Sequence, residues 1–140
     1  MSHAERRSGH LWAAVALRSG GLPPPAVLVT WLRRFAPKCA VDEGAREGDN
    51  ANAERVLVFR EYGAEVGAAH FPWSVAGRDG RGFRSHAGHV FLSLAVPGPG
   101  AVGRRTLARA AGSLAATSDA AFVWWGRTGG VYKPADFLRR

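Results

Sequence analysis

A single cysteine, Cys39, occurs in the 140 residues, so the chain can build no internal disulfide. The commonest role for a lone thiol is that of a small buried apolar residue. Lys38 beside it would favour a thiolate, but the C-terminal end of a helix, where Cys39 is expected, opposes one, so it is a weak nucleophile candidate. Long apolar runs are missing too: none approaches the roughly 20 residues of a membrane-spanning helix. Leu11 to Leu17, preceded by Arg6 and Arg7, imitates the core of a secretory signal. That stretch is short and runs into Arg18 and a Gly/Pro turn where a small-residue cleavage site would be needed. These absences lead to the expectation of a soluble, cytoplasmic protein with no membrane partner.

Lysine is nearly lacking as well. Lys38 and Lys133 are the only two among 19 basic residues, which face 11 acidic ones for a formal net charge of +8. A basic excess carried by arginine, in a chain rich in Ala and Gly, follows from the amino-acid bias of a GC-rich genome. The same excess would also attract nucleic acid or an acidic partner, and charge alone does not separate the two readings.

Apolar residues make up 46% of the chain, and a chain of this length hides roughly two thirds of its unfolded surface in one domain. Residues 1–9 are polar and read as a flexible N-terminus, leaving residues 10–140 as a single domain. Leu11 to Arg18 is expected to be a strand, with Leu11, Ala13, Val15 and Leu17 on one face and Trp12, Ala14 and Ala16 on an equally apolar second face. Pro23 to Pro25 open a helix whose buried stripe is Leu28, Trp31, Leu32 and Phe35, with Arg33 and Arg34 in water. Asp42 to Glu54 lacks apolar periodicity and reads as a mobile surface loop. Val56 to Glu61 and Ala64 to Phe71 form a hairpin closed at Tyr62 and Gly63, and Pro72 to Arg84 reads as a second loop.

His89 to Val96 is a further strand, and Pro97 to Gly100 turns the chain into a helix with Leu107, Ala110, Ala111 and Leu114 as its apolar stripe. Gly103 and Gly112 weaken that helix by about 1 kcal/mol each relative to alanine. Ala120 to Trp125 is a strand, Gly126 to Gly130 a hairpin turn, Val131 to Lys133 a short return, and Pro134 to Arg140 the start of a helix. The fold class is therefore α+β: a mainly antiparallel sheet with two helices packed on one face, in the ferredoxin-like order β-α-β-β-β-α-β.

The chemistry-bearing residues are sparse. His86 and His89 share a face on a helix, but within a continuous strand that spacing sends them to opposite faces. A bend at Gly88 would bring His86 round, with His70 or Asp79 as further metal ligands. The structural alternative is an imidazole that closes the strand entrance by bonding a loop carbonyl. Trp73, Trp124 and Trp125, with Phe83 and Tyr132, offer stacking surfaces for bases, although adjacent tryptophans on a strand must face opposite sides. Gly126-Arg-Thr-Gly-Gly130 lacks the lysine and the following helix of a phosphate-binding loop. No catalytic residue and no cofactor is expected, and Trp73, His86, His89 and Trp125 are the candidate binding residues.

The order of motifs resembles the bacterial domain of unknown function 4261 family. The resemblance is carried by His70-Phe-Pro-Trp73, by His86-Ala-Gly-His89 leading straight into Val-Phe-Leu-Ser-Leu, by Ala120-Ala-Phe-Val-Trp-Trp125 and by Val131-Tyr-Lys-Pro-Ala-Asp-Phe137. It spans most of residues 10 to 138. It implies a shortened member and a region of interest around the two histidines, and it implies no reaction. The functional expectation is a non-enzymatic module that binds a protein partner, in a secretion or toxin-immunity setting, with self-association as a further possibility. The alternatives are a metal-dependent hydrolase-like enzyme using His86 and His89, and nucleic-acid binding through arginines and tryptophans.

Overall fold

A computed structural model describes residues 11–73, 86–126 and 128–139. The N-terminus at residues 1–9, most of the loop from Pro72 to Arg84, and Asp79 with it lie outside the described residues.

The strands are β1 (Trp12–Leu17), β2 (Ala40–Glu43), β3 (Arg55–Glu61), β4 (Ala64–Phe71), β5 (Gly88–Pro97), β6 (Ala120–Trp125) and β7 (Gly130–Tyr132). The helices are α1 (Pro25–Leu32), α2 (Val102–Thr117) and α3 (Pro134–Leu138), with one turn of 3-10 helix at Gly48–Asn50. Among the described residues the sheet has seven strands in the order β2-β3-β4-β5-β1-β6-β7, each pairing antiparallel. This is the α+β domain with an antiparallel sheet that the pattern implied.

The expected element order needs correcting in three places. Ala40–Glu43 is a strand that pairs with β3, where the sequence suggested the start of a loop. β7 extends the other edge, and α3 joins α1 and α2 as a third helix on the same face. Within this larger sheet, β6, β1, β5 and β4 with α1 and α2 keep the connectivity of a split β-α-β arrangement.

β1 is the axis of the core, and all six of its residues are buried. Val15 lies between Val90 of β5 and Val123 of β6, a row of β-branched side chains on the face that carries the helices. Leu28 and Leu32 of α1, and Leu107, Ala110, Ala111 and Leu114 of α2, close over that row and are fully buried. On the opposite face Ala14 lies between Phe91 and Trp124. Its small side chain leaves room for Trp12, which stacks on Phe91 at 5.4 Å and meets Trp124 edge-on at 4.9 Å.

Two local features explain residues that pattern alone misjudges. α1 ends at Leu32, and Arg33 to Phe35 form a turn, so Phe35 leaves the helical stripe and is 54% exposed instead of buried. Gly103 is required by close approach: a Cβ there would stand 2.5 Å from the Pro97 carbonyl oxygen and 2.8 Å from Leu94. The helix accepts the propensity cost of glycine because any side chain would push it off β5.

Candidate functional site

The histidines meet at one end of the sheet. β5 begins at Gly88, so His86 precedes the ladder and escapes the two-residue alternation. Its ring packs edge-on against Phe122 at 5.4 Å. His89 is paired with Ala16, which is itself paired with Phe122, and directly paired residues share a face. Both imidazoles therefore lie on the sheet face away from the helices, which corrects the expectation that the spacing separates them. His89 Nδ1 donates to the Trp73 carbonyl at 2.7 Å, and its ring stacks on Phe71 at 5.3 Å. Burial pulls the His89 pKa below its ordinary value; the Trp73 carbonyl opposes this, and His86 and His70 reinforce it.

His70 faces the other way. It is paired with Val90, whose side chain belongs to the core under the helices. Only 4% of it is exposed, its Nδ1 is 3.5 Å from Glu54 Oε2, and its Nε2 has no hydrogen-bond partner among the described residues. Burial lowers its pKa, against the pull of Glu54 and with the push of Arg55. Among the described residues no group of three or more His, Cys, Asp or Glu side chains is arranged to hold a metal ion. Trp73, which is 49% exposed, sits with His89 and Phe71. Trp125 is on the helix-bearing face against Phe137, so the four candidate binding residues fall on both sides of the sheet.

The helix-bearing side holds a different arrangement. A cleft of about 910 Å³ opens between the end of α1, α2, α3 and the β6–β7 turn. Trp31 and Phe35 form one wall, with ring centroids 4.8 Å apart, and Trp125 and Phe137, 6.0 Å apart, form another. Arg104, Ala108 and Gly112 line it at one-turn intervals along α2. Gly112 is not required by close approach: a Cβ there would meet the Trp31 ring at 3.5 Å and Leu138 at 3.6 Å, ordinary packing distances.

Among the described residues three arginines line this cleft, and their partners differ. Arg109 Nη1 donates to Glu61 Oε2 at 2.6 Å, and Thr106 Oγ1 donates to the other oxygen at 3.1 Å. Glu61 ends β3 and is 3% exposed. Arg34 and Arg104 are exposed and have no side-chain partner among the described residues. Nearby Cys39 is buried, and its thiol pKa is pushed up to about 11, by burial first and the Glu61 charge second, against Arg109. Such a thiol is no nucleophile near neutral pH.

Pattern reading missed the cleft because it assigned Trp31 and Phe35 to the core stripe. The available signal was local: a helix end carrying Trp31, Arg34 and Phe35 together holds more aromatic surface than a short helix can bury. Among the described residues the lining of the cleft contains no acid, imidazole or thiol. It offers stacking surface and fixed positive charge, with no group to exchange a proton.

Among the described residues no helix is long and apolar enough to cross a membrane. Comparison of the chain with protein-family models, with curated proteins and with solved structures found no match. The family resemblance rests on its motifs alone.

Proposed function

We propose that the protein is a non-enzymatic binding module whose working site is the cleft between α1, α2, α3 and the β6–β7 turn, and that its ligand is an amphipathic organic anion. The observation that carries this reading is the pairing of aromatic walls with Arg34 and Arg104, which have no side-chain partner among the described residues. An apolar ring system gains by leaving water for such walls, and a carboxylate, sulfonate or phosphate on it gains a guanidinium partner. The volume, about 910 Å³, falls in the range of roughly 300–1,000 Å³ typical of small-molecule sites. The exposed positions of Phe35 and Leu138 at the rim fit a surface that is covered when a ligand arrives. The metal-dependent alternative draws no support from the positions of His70, His86 and His89.

Titration with the fluorescent anion anilinonaphthalene sulfonate tests this. The expected result is saturable, stoichiometric binding to the folded protein, weakened about tenfold by Phe35→Ser, the change in one well-placed aromatic contact. Phe35 is largely exposed, so this substitution spares the core. Absence of saturable binding, or binding indifferent to Phe35→Ser, overturns the reading.

A further inference from the structure

We infer that Glu61 sets the charge recognition of the cleft: by holding Arg109 in a closed pair, it leaves Arg34 and Arg104 as the cations that meet the ligand's anionic group. The inference rests on the proposed binding function and adds which of the three arginines that line the cleft among the described residues recognise charge.

The three guanidinium groups have different electrostatic situations. The Arg109 side chain is 32% exposed, but its Nη1 is committed to a carboxylate that is 2% exposed. Removing Arg109 from Glu61 would strand a buried negative charge, so an incoming anion cannot capture this guanidinium without that cost. Seen from the cleft the pair is a dipole with little net charge, and its field falls away faster than that of a lone cation. Thr106, one turn before Arg109 in the same helix, places its hydroxyl 3.1 Å from Glu61 Oε1 and 2.9 Å from the Val102 carbonyl, so its one proton is shared between the two acceptors beside the carboxylate.

Arg104 has no such tie among the described residues. It stands one turn before Ala108 and two before Gly112, at the end of the small-residue floor over which a ring would lie. Arg34 approaches from the opposite bank, in the turn after α1, between the wall residues Trp31 and Phe35. A flat apolar body on the floor thus places an attached anionic group within the field of two uncommitted guanidinium groups. Glu61 contributes at a distance, and it is a positioning residue: it touches Arg109, not the ligand.

The decisive readout is the ratio of affinities for anilinonaphthalene sulfonate and for N-phenylnaphthylamine, its uncharged counterpart. A residue that only supports the fold shifts both affinities together and leaves the ratio alone. Arg104→Gln and Arg34→Gln are each expected to lower the ratio about fivefold, and Glu61→Gln to raise it by a similar factor as Arg109 becomes a third available cation. Glu61→Leu combined with Arg109→Met replaces the neutral pair by apolar groups and is expected to leave the ratio unchanged; it also decides the matter if Glu61→Gln does not fold. A ratio unmoved or lowered by Glu61→Gln, or lowered by the double variant, overturns the inference while binding to the cleft persists. Loss of the Phe35 dependence for both probes strikes instead at the proposed function itself.

Discussion

Arg109 and Glu61 are 48 residues apart in the chain, and their side chains meet at 2.6 Å, the guanidinium one-third exposed and the carboxylate almost wholly enclosed. The pair ties α2 to the end of β3 and makes the floor of the cleft dependent on the sheet. Arg109→Met leaves Glu61 with the Thr106 hydroxyl alone and is expected to cost about 3 kcal/mol of stability, the lower end for breaking a buried pair because Arg109 retains contact with water. Adding Glu61→Leu should restore most of the loss. Urea unfolding of the two variants measures both terms.

Cys39 supplies a second test. With its pKa near 11 instead of the ordinary 9.0, the native thiol holds about a hundredfold less thiolate at pH 8 than an exposed one. Iodoacetamide should therefore label native protein very slowly and unfolded protein at the rate of a free thiol. A raised thiol pKa favours the neutral form in the folded state, so this contribution to stability is present below pH 9 and declines as pH rises toward 11. Fast native labelling would contradict the burial described.

His70 and His89 both have depressed pKa values, burial being the main cause in each. The unfolded chain, with histidines near 6.5, binds more protons than the folded one at mildly acidic pH, so stability rises with pH there. The contribution is complete above about pH 6.5 and is lost as pH falls from that value through the lower folded pKa values. The melting temperature is expected to drop between pH 7.5 and pH 5.5, and His89→Gln should flatten the slope. An equal slope in that variant would show that His89 does not report the burial seen here.

Gly126 tests the packing of the sheet face away from the helices. A Cβ at this position would fall 2.1 Å from the Trp12 ring, which Phe91 and Trp124 hold from two sides. Gly126→Ala is expected to destabilise by about 1–3 kcal/mol, the cost of overpacking against a ring that cannot move freely. In a Trp12→Leu background the same change should cost much less, which a thermal melt of the double variant reads directly.

The sequence carried much of the fold because alternation and helical spacing register burial locally. Leu11 to Leu17 alternates between two apolar faces, and both are covered. Tyr62 and Gly63 both adopt positive φ, the conformation a two-residue hairpin requires, at the place the turn was read. Ala40–Glu43 was illegible for the opposite reason: as an edge strand it buries only Val41, too little for a pattern to show. Phe35 was misassigned because helical spacing extends a stripe past the point where a helix has ended.

The site was less legible than the fold. Trp73 and His89 meet through a backbone carbonyl, and His86 reaches Phe122 only because it lies outside the ladder. Trp125 belongs with Phe137, and Arg104 with Arg34, through pairings of α2 with α1 and α3 that no local spacing encodes.

By itself the amino-acid order determined an antiparallel α+β domain, the core-facing residues of β1 and α2, and the improbability of a cysteine nucleophile, since each of these depends on neighbours a few positions away. Only the tertiary structure decided that Trp31 and Phe35 line a cleft with Arg34, Arg104 and Arg109, and that Arg109 is held by Glu61. The physical reason is that cleft and charge partner are made where separate helices and a strand end converge, and helix packing sets that distance.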